Sequence, residues 1–196
     1  MTSRLSVIFV LLSMAVAVHA QNEAAAQKPA RFQLYGGYAF VSNSPNGLPG
    51  ENQPMNGWNA SLGTPLWRFI RFNVDVSSYK GTNQGAQEDV YYILGGPQFA
   101  RRFGRETVFV EALIGDGGIN RYWGPQASPG ETASFATVVG GGLDTPIARR
   151  LAFRVSGGYQ WSNFQLINNV QSIVPIQTPG LPDKFARISA GLVWSF

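Results

Sequence analysis

The feature that most constrains the fold is an alternation of apolar and polar residues that recurs along the chain after residue 30. In the clearest segment, Ile70, Phe72 and Val74 alternate with Arg71 and Asn73. A strand places such residues on opposite faces, whereas a helix would scatter the charges around its surface. The segments are about 10–12 residues long, which suits a tilted membrane strand and exceeds most globular strands. The alternation therefore predicts long β-strands with one apolar and one polar face.

The number of segments and the links between them predict how the strands are arranged. Eight strands are expected, at 31–41, 56–66, 70–79, 89–101, 106–115, 133–144, 151–162 and 185–196. Both faces of 89–101 are fairly apolar, so its register stays unassigned. Short turns alternate with long loops rich in Gly, Pro, Asn and Gln, predicted at 42–55, 80–88, 116–132 and 163–184. This asymmetry predicts an all-β fold: a closed eight-stranded antiparallel up-and-down transmembrane β-barrel, with short periplasmic turns and four long extracellular loops.

The N-terminal segment predicts export from the cytoplasm. Arg4 precedes an apolar run at 5–18 that is too short to span a bilayer, and Val18-His19-Ala20 has the small-x-small pattern of a cleavage site. We therefore expect a signal peptide at 1–20 that is cleaved, a flexible lead-in at 21–30 and a barrel domain at 31–196. The expected location is the cell outer membrane.

The two faces of the strands decide between a membrane barrel and a soluble one. A soluble secreted ligand-binding barrel has a polar exterior and an apolar cavity, and it remains an alternative. Here the apolar face carries no charge and mixes large with small residues, which suits lipid. An eight-stranded lumen is just wide enough for side chains to fill, so charges inside it must pair. We predict a lumen ion-pair network, with Glu111 neutralising Arg154; its members are Arg71, Asp75, Glu111, Asp144, Arg154 and Arg187.

Aromatic and basic residues mark the expected edges of the membrane. Aromatic belts at both interfaces are typical of transmembrane barrels. The predicted interface aromatics are Trp67 and Trp194 at the periplasmic end, and Tyr79, Tyr91, Tyr159 and Trp161 near the loops. Arginines concentrate in the short turns, at Arg68, Arg101, Arg102, Arg105, Arg149 and Arg150. They are expected to pair with phospholipid headgroups, so outer-membrane lipids are predicted partners and nucleic acid is not.

The last strand carries the most specific motif. Ser189, Gly191, Trp194 and Phe196 follow a polar-x-Gly-x-x-aromatic-x-aromatic spacing that ends at the last residue. This motif resembles the β-signal that the outer-membrane assembly machinery recognises. With the strand pattern and loop asymmetry, it makes the chain resemble the OmpA-like family of small eight-stranded outer-membrane β-barrels over residues 31–196. The resemblance implies the assembly machinery as a partner. We expect the barrel domain alone, without the periplasmic peptidoglycan-binding domain of OmpA-type proteins.

The residue inventory argues against catalysis. The chain has no Cys, and its single His, His19, lies in the predicted signal peptide. Lipid A deacylases, phospholipases and omptin-like proteases resemble this architecture, and all use a His. We therefore predict no enzyme activity, catalytic residue, metal or cofactor. The expected function is a structural or surface-interaction barrel whose loops meet an extracellular ligand; the alternative is a narrow, gated channel for ions or small solutes.

Overall fold

The computed structural model describes residues 32–42, 54–83, 86–122, 130–162 and 183–196. The predicted signal peptide and lead-in lie outside this part of the chain. The described residues form eight strands: β1 (Gln33–Val41), β2 (Met55–Pro65), β3 (Ile70–Asn83), β4 (Ala86–Phe103), β5 (Glu106–Tyr122), β6 (Gly130–Ala148), β7 (Leu151–Ser162) and β8 (Asp183–Ser195). Within these ranges, no helix is long and apolar enough to cross a membrane.

The eight strands close into one barrel. Each strand is hydrogen-bonded to its neighbours in chain order, and β8 pairs with β1 to complete the ring. All pairs are antiparallel, as an up-and-down topology requires. The predicted fold class is confirmed.

Alternation along each strand separates lumen from exterior. On β3, Asn73 and Asp75 are buried inside, while Phe72 and Val74 are exposed outside. The register of β4, which its sequence leaves open, is settled by the pairing Asp75↔Leu94, which places Leu94 inside with Asp75. Its two faces look alike in sequence because β4 turns the apolar side chains of Val90, Tyr92 and Leu94 into the lumen as well.

Two of the four predicted loops are wrong in extent. β3 continues to Asn83 and β4 begins at Ala86, so most of 80–88 is strand; β5 reaches Tyr122 and β6 begins at Gly130, so most of 116–132 is strand as well. Their polar, Gly-containing sequences suggest loops, yet the ladder continues through pairs such as Lys80↔Asp89. The other two predicted loops, at 42–55 and 163–184, fall mostly outside the described residues.

Tight turns join the strands at the other end of the barrel. The β4–β5 connection consists of Gly104 and Arg105, and Gly104 has φ 60. Two-residue hairpin turns require a positive φ at their first position, where glycine carries no steric cost. This hairpin, with the turns at 66–69 and 149–150, defines the short-turn end of the barrel.

Candidate functional site

The lumen near the short turns is polar, and its first ion pair joins neighbouring strands. Arg154 donates to both carboxylate oxygens of Asp144, at 2.6 Å from Nε and 2.8 Å from Nη2. The two residues are direct partners in the β6–β7 ladder, and both are buried. The guanidinium also lies 4.4 Å from the ring centroid of Phe109. Arg154 is therefore held by a bidentate ion pair and an aromatic face.

The second ion pair crosses the lumen between strands that are not neighbours. Arg187 on β8 donates to both oxygens of Asp75 on β3, at 2.8 and 3.2 Å. The Asn59 amide donates a third bond to Asp75, at 3.3 Å. A buried charge of each sign is thus neutralised across the interior.

The remaining two predicted members of the network bind amides. Glu111 accepts bonds from Asn73 and Gln98, each at 3.0 Å. Arg71 donates to the side-chain oxygen of Gln33 at 2.7 Å. The six charges therefore divide among two ion pairs and two amide-bonded groups.

The predicted pairing of Glu111 with Arg154 is wrong. The alternation of each strand predicts that both side chains face the lumen, but it does not predict which charges meet there. The β6–β7 register places Asp144 directly beside Arg154, and the ladder partner takes the guanidinium. Two amides from β3 and β4 supply the donors that Glu111 needs.

At the loop end, buried polar side chains such as Gln160 and Ser162 share the lumen with an apolar cluster that sequence reasoning missed. Its twelve buried members are Ala39, Val41, Met55, Tyr79, Val90, Tyr92, Leu94, Leu113, Ile119, Ala136, Val138 and Phe185. The rings of Tyr79 and Tyr92 meet edge to face with centroids 6.2 Å apart, and Phe185 lies 6.3 Å from Tyr92. We call this set the loop-end cluster.

The prediction of Tyr79 as an interface aromatic is wrong. It is 1% exposed, inside the barrel. Its position shares the parity of Asp75 on the same strand, and this signal was available in the sequence. The same parity on β8, where Phe185 shares the face of Arg187, could have revealed Phe185, whereas Tyr92 lies on the strand whose register the sequence leaves open.

The other five predicted interface aromatics lie on the outer side of the barrel. Trp67 is 75% exposed in the β2–β3 turn, and Trp194 is an exposed residue near the end of β8. Tyr159 and Trp161 form an edge-to-face pair at 4.9 Å near the loop end of β7, and Tyr91 is half-buried on β4. Between these levels the exterior presents exposed apolar side chains, among them Val74, Val110, Ile114, Val139, Phe153, Val155 and Leu192.

The four residues of the C-terminal motif divide between the two faces of β8. Ser189 is buried inside and shares a 2.7 Å hydrogen bond with Ser156, and Gly191 also faces inward. Trp194 and Phe196 are exposed outside. Gly191 lies opposite Gly37 on the seam where β8 closes against β1.

Comparison with known proteins identifies the class of fold. No protein-family model matches the sequence, and no curated protein sequence is similar to it. Among solved structures, Neisserial surface protein A superposes with a TM-score of 0.59 at 16% identity, covering 84% of this chain and 96% of that one. Ail, the attachment invasion locus protein of Yersinia pestis, gives 0.56 at 15% identity, covering 86% and 100%.

A third structure has the same fold. The N-terminal barrel domain of Pseudomonas aeruginosa OprF gives a TM-score of 0.51 at 10% identity, covering 85% of this chain and 98% of that one. The fold is therefore that of these small eight-stranded outer-membrane barrels, as the strand pattern predicts.

Proposed function

We propose that the chain is an outer-membrane barrel with a structural or surface-interaction role, which holds its loops outside the cell. The exposed apolar exterior between two levels of aromatic side chains supports a membrane location, as do the fold neighbours. The proposal places the short turns in the periplasm. It includes no enzyme activity, because the single His, at position 19, lies in the predicted signal peptide.

The loop-end cluster is the observation that carries this proposal. A conducting barrel needs an open polar path, whereas twelve buried, mostly apolar side chains occupy the loop end of this lumen together with buried Gln160 and Ser162. Nearer the short turns, bidentate ion pairs hold Arg154 against Asp144 and Arg187 against Asp75. A filled interior suits a rigid wall that supports loops.

The extension of the central strands supports a role at the surface. β4, β5 and β6 have 18, 17 and 19 residues, compared with 9 in β1 and 11 in β2. Part of the extra length lies at the loop end, where β6 begins at Gly130 but pairs with β7 only from Ala136 onward. Two fold neighbours are named a surface protein and an attachment invasion locus protein, which supports adhesion as the kind of interaction.

Recording from the refolded barrel in planar bilayers distinguishes the proposal from the channel alternative. Ions could pass along the charged part of the lumen only if the side chains of the loop-end cluster moved out of their path. We expect no single-channel steps from the wild type and brief openings from Tyr92→Ala with Phe185→Ala, which removes two contacting rings. Val74→Ala, on the outer face, is the control and should stay silent. Regular steps from the wild type would establish the channel instead.

Binding by whole cells tests the surface role directly. Cells that display the full chain would be applied to arrays of glycans and matrix proteins, beside cells in which a Gly-Ser linker replaces residues 163–182. We expect adhesion to the array to be lost with that segment and kept when the linker replaces residues 149–150 at the other end. Equal adhesion of all three strains, or of cells without the protein, would contradict a surface-interaction role.

Charge substitution on β3 tests the membrane location. Val74→Arg places a charge on the outer face and is expected to lower the free energy of unfolding by about 2–4 kcal/mol, the cost near the bilayer midplane. Thr82→Arg is the matched control, because Thr82 is exposed on the same face near the loop end of β3. Urea titration of the barrel folded in vesicles measures both. Equal, small effects would show that this face does not meet lipid.

Recognition by the assembly machinery remains part of the proposal, and the last two residues test it. Phe196→Ser removes an exposed aromatic from the outer face of the C-terminal motif. It should lower the yield in the outer membrane several-fold, whereas Ser195→Ala on the inner face should leave it near wild type. Immunoblots of membrane fractions measure the yield. Equal yields for the two variants would contradict the assignment of the motif.

A further inference from the structure

An apolar groove lies on the outer face of the barrel beside the short turns. It has a volume of about 290 Å³ and is lined largely by outward residues of β4, β5 and the β2–β3 turn. Phe69, Phe99 and Phe103 contribute exposed rings, and Phe99 lies directly opposite Val110 in the β4–β5 ladder. The lining also includes Arg101, which is paired in register with Val108.

Exposed arginines surround the periplasmic mouth of this groove. The amide of Ala100 donates to the carbonyl of Phe69 at 2.9 Å, which brings Arg68 and Arg101 close together on adjacent elements. Arg68 lies over the ring of Phe69 at 5.7 Å, and Arg101 lies over that of Phe103 at 5.4 Å. Arg102 and Arg105 add positive charge at the same hairpin, against the single acid Glu106.

We propose that this groove is a binding site for an anionic glycerophospholipid of the periplasmic leaflet. Its acyl chain lies against the Phe side chains, and its phosphate is bound by Arg68 and Arg101. Guanidinium groups pair with phosphate through two parallel bonds, and anionic lipid attracts arginine near the membrane surface. The inference rests on the proposed outer-membrane location, which puts the short turns on the periplasmic side.

Charge argues for a lipid occupant and against a second copy of the chain. A copy that docked through the same face would bring its own Arg68, Arg101, Arg102 and Arg105 against these, and like charges repel. An anionic lipid neutralises them and buries apolar surface in the groove.

Native mass spectrometry of the full-length barrel in dodecyl maltoside tests the site, with palmitoyl-oleoyl phosphatidylglycerol as the probe. We expect the wild type to retain one lipid, and Arg68→Gln with Arg101→Gln to bind it about 30-fold more weakly, the combined effect of two surface arginines. Arg149→Gln with Arg150→Gln is the matched control, because it removes two exposed arginines from the β6–β7 turn. The control should bind as the wild type does.

Two further arms separate the acyl chain from the headgroup. Val108→Trp fills the groove and should weaken binding while both arginines remain. Dioleoylglycerol, which has no phosphate, should bind wild type and the Arg68/Arg101 variant equally weakly. Three results would overturn the proposal. They are equal losses of lipid in the two double-arginine variants, undiminished lipid binding by every variant, and retention of a second protein copy in place of lipid.

Failure of this site can be told apart from failure of the proposed function. Each variant is also assayed for faster gel mobility without boiling and for cell-surface exposure of a tag in residues 163–182. If these two properties persist while lipid retention is unselective, the lipid site is wrong and the outer-membrane proposal stands. If the wild type shows neither the faster gel mobility nor the surface exposure of the tag, the membrane proposal itself is wrong.

Discussion

Arg154→Gln is expected to lower the free energy of unfolding by about 3–5 kcal/mol, because it leaves the Asp144 carboxylate buried without its cation. Both oxygens of Asp144 accept bonds from Arg154, and the aspartate is 5% exposed. The aromatic contact between the guanidinium and Phe109 is lost as well. Urea titration of the barrel folded in vesicles measures the loss.

A double-mutant cycle shows which acid Arg154 depends on. Adding Asp144→Asn to Arg154→Gln should recover much of the loss, because two neutral amides replace the ion pair without a stranded charge. Adding Glu111→Gln should not, since Glu111 bonds to Asn73 and Gln98. Contacting pairs typically couple by about 0.5–3 kcal/mol, and separate ones add.

The contrast between the two cycles is the decisive result. Strong coupling of Arg154 to Glu111, with additive losses for Arg154 and Asp144, would restore the pairing that the sequence suggested and contradict the β6–β7 contact. Strong coupling of Arg154 to Asp144, with additive losses for Arg154 and Glu111, supports the pairing in the structure.

Gly191→Ala should largely prevent the barrel from closing. A Cβ at this position would overlap the carbonyl oxygen of Gly36 and the Cα of Gly37, both backbone atoms of β1. The β1–β8 pairing closes the ring, and backbone atoms there cannot move aside as a flexible side chain can. We expect several-fold less of the fast-migrating, unboiled form on gels.

Gly36→Ala provides a matched control on the same seam. Gly36 lies on the outer face of β1, opposite Leu192, and a Cβ there would meet nothing within 4 Å. It should fold as the wild type does. If both substitutions are tolerated, β8 and β1 are not held at the close approach seen at Gly191, and the register of the seam is wrong.

Local sequence accounts for much of the barrel. The alternation around Val74 and Asn73 decides which side chains face outward and which face the lumen, because successive residues of a strand point to opposite sides. The same rule, applied to Tyr79, would have placed it inside. Strand number and the short turns also follow from local signals, such as Gly104 at a position that needs a positive φ.

Tertiary structure alone decided which groups meet inside the barrel. Asp75 and Arg187 are 112 positions apart, and their contact depends on the stagger of strands around a closed ring, which no single segment encodes. The same stagger put Asp144 rather than Glu111 beside Arg154, and gathered Tyr79, Tyr92 and Phe185 into the loop-end cluster. The faces of each strand are a local property, whereas partners across the lumen are set by register and closure of the whole sheet.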